Sequence, residues 1–221
     1  MRECFLNRTE AGQFLADKLL HYANQPNTLV LGLPRGGVPV AFEVARALHA
    51  PLDVFVVRKL GTPGNPELAM GAIAEGGFRT LNNQVIESLD IPGEVIDSVT
   101  ATEEKEIKRR VLAYRGSSAK PMLKGKTVIL VDDGVATGSS MKAAIRAIQA
   151  EYPARLVVGV PTAARSTYHE VRPRVDEMVA LMTPDRFMAV GEWYVNFPQT
   201  SDEEVTQLLA SARRHQETAA V

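Results

Sequence analysis

The sequence predicts an α/β fold built on a parallel sheet, and three observations predict it. Short apolar, partly β-branched runs recur along the 221 residues, helical patterns fall between them, and the connections are rich in glycine, proline and hydroxyl residues. One run, 127–131 (TVILV), is almost wholly apolar, the pattern of an interior strand buried on both faces.

Taken in order, residues 9–22 read as a helix capped by Thr9, with Phe14, Leu15, Leu19 and Tyr22 forming an apolar stripe at helical spacing. Residues 28–33 are a strand, Pro34-Arg35-Gly36-Gly37 a turn, and 39–48 a helix that tolerates Pro39 in its first turn. The next strand is 53–58, followed by the glycine- and proline-rich segment 61–66. Residues 71–75 and 78–85 read as paired strands joined by Gly76-Gly77. A charged helix follows over 94–115, with Glu104/Lys108 and Glu106/Arg110 spaced as ion pairs. It reads as a solvated face without chemistry. Beyond the 127–131 strand come a helix from Met141, strands at 155–160 and 175–181 around a short helix at 165–171, and a helix at 202–213. The sheet expected is parallel, with five or so strands.

The stretch TVILVDDGVATGSSM, residues 127–141, carries the chemistry. Asp132 and Asp133 stand at the carboxyl end of the buried strand, where open α/β sheets bind ligands. Gly134, Val135, Ala136, Thr137, Gly138, Ser139 and Ser140 then make a small-residue turn into a helix. Free N–H groups at a helix start bind phosphate, aided by the helix dipole. The hydroxyls of Thr137, Ser139 and Ser140 add hydrogen bonds, and the carboxylates suit the vicinal hydroxyls of a ribose or a magnesium ion. An ordinary capped strand-to-helix turn needs neither two adjacent acids nor so many hydroxyls.

This string resembles the 5-phosphoribosyl-1-pyrophosphate (PRPP) binding motif of the type I phosphoribosyltransferases. The resemblance covers 28–181 and implies a single domain over 1–221, its parallel-sheet, Rossmann-like core at about 28–181. A small hood would come from the terminal segments 1–25 and 185–221. It further implies an enzyme that uses Mg2+ and transfers the 5-phosphoribosyl group of PRPP to a nitrogen acceptor, such as a nucleobase, releasing pyrophosphate. By the same resemblance, Asp132 and Asp133 serve catalysis and the metal, directly or through substrate and water. Arg35, Gly36 and Gly37 hold pyrophosphate, and the segment after Arg58 and Lys59 is a flexible catalytic loop, with Lys59 among the catalytic residues. A homodimer fits the resembled enzymes.

From the residues alone, Arg35 with two glycine amides makes a cationic turn suited to an anion, or simply a tight turn with an exposed arginine. Arg58 and Lys59, adjacent cations expected at a strand end, point to an anionic ligand. Trp193, Tyr194 and Phe197 are read as anchors of the tail to the core before stacking partners for a base. The acceptor-binding patterns of the purine, pyrimidine and orotate enzymes are not recognisable here. A noncatalytic PRPP or nucleotide sensor is therefore the alternative, and a phosphorylase or hydrolase acting on a ribose-phosphate ester a third reading.

Net charge is −1 and no basic run stands out, which disfavours nucleic acid as the partner. A single cysteine, Cys4, excludes an internal disulfide and a cysteine-built metal cage. Polar residues 1–10 suggest no secretory leader, and no apolar run approaches the ~20 residues of a membrane span, so a cytoplasmic protein is expected. Motifs of the form G-x-S-x-G, G-x-x-x-x-G-K-[ST] and G-x-G-x-x-G are absent, and the four histidines lack ligand spacing.

Overall fold

The computed structural model describes residues 4–116 and 119–219. Helix α1 (Arg8–Leu19) leads through a short 3-10 turn to strand β1 (Thr28–Gly32), helix α2 (Gly37–Leu48) and strand β2 (Leu52–Val54). Strands β3 (Val57–Thr62), β4 (Asn65–Ala74) and β5 (Arg79–Leu81) follow, then helices α3 (Asn83–Ser88) and α4 (Gly93–Arg115). The second half runs β6 (Thr127–Val131), α5 (Ser139–Gln149), β7 (Arg155–Thr162), α6 (Arg165–Val171), β8 (Glu177–Met182) and α7 (Asp202–Ala219).

Five strands form a parallel sheet in the order β2-β1-β6-β7-β8, as the alternating pattern predicts, and β3-β4-β5 form a separate antiparallel arm. Side-chain alternation sends Val30, Ile129, Val131 and Val157 into one core layer with α1, α2 and α7. Leu29, Leu31, Val128, Leu130 and Val158 enter the other with α5. Both faces of β1 and β6 are thus covered, which explains why these strands read as continuous apolar runs. Gly159 of β7 leaves the room into which Leu15 and Leu19 of α1 pack, a Cβ there standing 3.3 Å from Leu15 Cδ2.

Several boundaries differ from expectation for identifiable reasons. Asn7, not Thr9, caps α1, its side chain accepting from Glu10 N. Ala11, Leu15, Ala16 and Leu19 fill the sheet-facing side of that helix, and Phe14 turns away to 38% exposure. The expected strand 53–58 is two strands. Phe55 N still donates to Gly32 O, but Val56 O accepts from Glu75 N, so the chain leaves the parallel sheet between them. Residues 83–85, expected in a strand, belong to α3, which Asn82 caps.

The charged helix α4 is more than a solvated face. Glu106 receives both Arg109 and Arg110, as the spacing suggested for the latter. Ile96, Ile107 and Tyr114 are nevertheless buried, and Arg115 closes a buried ionic cluster. Its guanidinium donates to Asp53 at 2.8 Å, to both oxygens of Glu75 at 2.9 and 3.1 Å, and to Val54 O at 2.6 Å. Edge strand β2, the end of β4 and α4 are fastened together at that point.

Candidate active site

The carboxyl ends of β1 and β6 bring two helix starts side by side. At the first, Gly138 adopts φ +70°, and no side chain caps the start of α5. The amides of Ser139 and its neighbours therefore keep their donors for an anion, with Thr137 and Ser139 hydroxyls 3.3 Å apart beside them. The loop is braced from below. Val135 bridges Ala163, and Thr167 Oγ1 donates to Ala136 O at 2.5 Å. At the second, α2 starts just after Gly36, again without a side-chain cap, following a cis peptide between Pro34 and Arg35.

Gly36 and Gly37 are required by close approach. A Cβ on Gly36 would lie 2.0 Å from Asp133 Oδ2, and one on Gly37 2.8 Å from Asp132 Cα and Val131 O. The cationic turn and the acidic pair are consequently packed against one another. Burial pushes the Asp132 carboxyl well above the usual range and the neighbouring Asp133 charge raises it further. Asp133 is also raised by burial, against the opposing charge of Arg8.

Arg58 and Lys59 lie at the beginning of β3, not at the end of a strand as expected. A cavity of about 450 Å³ brings them together with Pro34 of the turn, Ser140 of α5, Thr62, and Glu103 and Arg110 of α4. Arg58 donates to Glu103 at 2.6 Å. Sequence reading missed Glu103 and Arg110 because they sit on a helix whose charges looked merely solvated. The segment expected as a flexible catalytic loop folds as a tight hairpin tip. Thr62 Oγ1 donates to Asn65 O at 3.0 Å, Gly64 takes φ +77°, and Gly61 leaves no room for a Cβ beside Pro66.

The two terminal segments meet over this end of the sheet. Phe5 and Tyr194 form a parallel bridge, Phe5 N donating to Trp193 O and Val195 N to Phe5 O. Arg8 Nε pairs with Asp133 Oδ2 at 2.8 Å while Nη1 donates to Pro198 O at 2.7 Å, and the guanidinium lies 3.7 Å above the Phe197 ring. Tyr194 stacks on Phe197 and donates its hydroxyl to Asp133 O at 2.5 Å. Tyr194 and Phe197 thus anchor the tail, as read from the sequence. Trp193 stacks instead on Phe187.

Two of the candidate ligands are also engaged by partners within the chain. Asp133, expected to face a ligand, is buried and held by Arg8, a residue with no local sequence signal. Arg35, expected as an anion ligand, is partly drawn to Asp202 at 3.8 Å, an acid that also accepts from Tyr114 at 2.6 Å. Among the described residues no three His, Cys, Asp or Glu side chains gather as a metal cage. Asp132 accepts from the Asp133 amide at 2.9 Å.

Among the described residues no helix is long and apolar enough to cross a membrane. Comparison with known proteins places this geometry in a family. The chain is 44% identical over 210 residues to "Putative phosphoribosyl transferase Rv0571c" of Mycobacterium tuberculosis strain H37Rv, and equally to "Putative phosphoribosyl transferase MT0597" of strain CDC 1551. The match covers 95% of this chain and 47% of each relative, so the chain spans about half the length of these curated relatives. The crystal structure of TT1426 from Thermus thermophilus is 42% identical with a TM-score of 0.81, covering 96% of this chain and 99% of that one. AQ2163 from Aquifex aeolicus, 15% identical over 91% of this chain and 83% of its own with a TM-score of 0.50, shares the fold. The phosphoribosyl transferase domain model matches residues 6–192, and with the parallel sheet and its uncapped α5 start this chain belongs to the phosphoribosyl transferase family.

Proposed function

We propose that this protein transfers the 5-phosphoribosyl group of PRPP to a nitrogen acceptor, a nucleobase or related compound, with release of pyrophosphate. The observation that carries the reading is the convergence of two uncapped helix starts, an acidic pair and the cations Arg58, Lys59 and Arg110 at one end of the sheet. The 5-phosphate is assigned to Gly134, Val135, Ala136, Thr137, Gly138, Ser139 and Ser140, and the ribose hydroxyls to Asp132 and Asp133. Pyrophosphate is assigned to Arg35, Gly36, Gly37, Arg58 and Lys59.

Asp132 and Asp133 would assist in holding a magnesium ion bound with PRPP, and that ion would supply charge neutralisation to the pyrophosphate. The C1–O bond breaks with its electron pair leaving on pyrophosphate, and the C1–N bond forms from the acceptor's lone pair. Positive charge grows on the sugar as negative charge grows on the leaving group. The acids oppose the first and Arg58, Lys59 and Arg110 the second, so positioning and electrostatics supply the catalysis without a nucleophilic triad. The β3–β4 hairpin takes the place of the expected catalytic loop and would shelter the reacting centre from water. A cytoplasmic homodimer completes the proposal.

Calorimetry of PRPP with and without Mg2+, followed by pyrophosphate assays across purine, pyrimidine and other nitrogen acceptors, tests it. Base-dependent release supports the transferase, and absence of PRPP binding refutes the site. Binding without release would favour a noncatalytic PRPP or nucleotide regulator, a reading suggested by the hood resting directly on Asp133.

A further inference from the structure

We infer that Arg8 is a positioning residue of the sugar site, holding the Asp133 carboxylate in register while joining the hood to it. The inference rests on the proposed assignment of Asp133 to the ribose hydroxyls. Asn7 caps α1 by accepting from Glu10 N, and that fixes where the helix begins and so where Arg8, its first residue, stands. The Arg8 side chain is 10% exposed and that of Asp133 13%, so the ion pair between them is largely removed from water.

Two N–H groups and one face of this guanidinium each meet a specific partner. Nε engages Asp133 Oδ2, Nη1 the carbonyl of Pro198, and the flat face the ring of Phe197. Tyr194, stacked on that ring, bonds the Asp133 carbonyl, so both the side chain and the backbone of the acid are gripped by the hood. On its other side the same Oδ2 abuts the Gly36 backbone, where a Cβ would stand 2.0 Å away. The carboxylate is left with little freedom between the pyrophosphate turn and Arg8.

A clamp needed for stability alone would be served as well by apolar packing, because a buried ion pair returns little net stability after desolvation. What the pair provides, and packing would not, is a directional hydrogen bond that holds the acid in one orientation. Arg8 acts through Asp133 and is assigned no contact with substrate.

The test uses the whole chain and two probes, ribose 5-phosphate and inorganic pyrophosphate, each titrated by calorimetry in the presence of Mg2+. Arg8→Met should weaken ribose 5-phosphate binding roughly ten- to hundredfold, the scale typical when a group that orients a ligating residue is removed. Pyrophosphate binding should stay within about twofold, because different residues take it. Arg8→Lys, which keeps the charge but not the fork, should recover part of the loss. Asp133→Asn should match Arg8→Met, and the double variant should be no worse than either alone. A melting-temperature drop with unchanged ribose 5-phosphate affinity would overturn the positioning role and leave the transferase reading standing. If the wild type bound neither ribose 5-phosphate nor PRPP, the site assignment itself would fall, and this inference with it. Should Arg8→Met fail to fold, Arg8→Lys and the Asp133→Asn cycle decide the question.

Discussion

Arg115→Met tests how the antiparallel arm is secured beside the candidate site. The Arg115 side chain is 2% exposed and serves Asp53, both oxygens of Glu75 and the carbonyl of Val54. Methionine fills much of the volume but leaves the Glu75 carboxylate, 5% exposed, and the Asp53 carboxylate, 13% exposed, without their cation. Lys120 stands 3.9 Å from Glu75 and compensates weakly. Removing one partner of a buried pair costs about 3–5 kcal/mol. With a urea slope of about 2–3 kcal/mol/M, the midpoint at pH 8 should fall by about 1–2 M.

The sign of the pH dependence follows from Glu75. Burial already raises its carboxyl and Arg115 opposes the rise, so the variant raises it further. A folded state that holds this proton more tightly than the unfolded chain is favoured below the ordinary glutamate value of about 4.3. That advantage is lost as pH climbs through the raised folded value. The deficit of Arg115→Met should therefore be smallest near pH 4–5 and largest at pH 8. Hydrogen exchange should show the arm loosening first, at the amides of Ala74 and Glu75 that bond Phe78 O and Val56 O. A midpoint shift under about 0.3 M at pH 8, or a deficit that grows toward acid, would refute the reasoning.

Three further substitutions probe the site. Asp132→Asn keeps an acceptor for the Asp133 amide but removes a carboxyl raised by burial and by Asp133. Calorimetric scans should show a gain at pH 8, about 1.4 kcal/mol per unit of elevation relieved, that vanishes near pH 4, together with weakened PRPP binding. A lower melting temperature at pH 8 would contradict it. Gly36→Ala must displace the Asp133 carboxylate and should cost about 1–3 kcal/mol in denaturant titrations and more than roughly tenfold in PRPP affinity. Tyr194→Phe retains both ring contacts but strips the Asp133 carbonyl of its donor, and should lower stability by about 1–2 kcal/mol.

Most strands were legible because burial on both faces leaves an unbroken apolar run, and β6 matches its expected bounds residue for residue. The same property concealed the break at Phe55-Val56. Both residues are buried, Phe55 in one core layer and Val56 in the other, so the alternation continues unchanged while the hydrogen-bond partner switches from β1 to the arm. Pairing is a property of the partner strand, and nothing in DVFVVRKL records it. The hairpin tip was readable as glycine and proline. Its tightness was not, since that depends on Gly61 meeting Pro66 across the ladder.

The candidate site divides along the same line. Asp132 through Ser140 form one continuous stretch from the strand end into α5, and a site whose chemistry lies in consecutive residues announces itself in one dimension. Arg8 stands 125 positions from Asp133 and Tyr194 stands 61 away, and each looks ordinary among its own neighbours. Their meaning comes from the topology, which sets α1 beside α2 and brings the tail back across the carboxyl end of the sheet. Two adjacent acids buried at a strand end carry a physical demand that sequence does show. At least one must find a counter-charge or keep a proton. The counter-charge for Asp133 had therefore to be supplied from elsewhere in the chain, and a search for an unexplained arginine in the terminal segments would have been the way to find it.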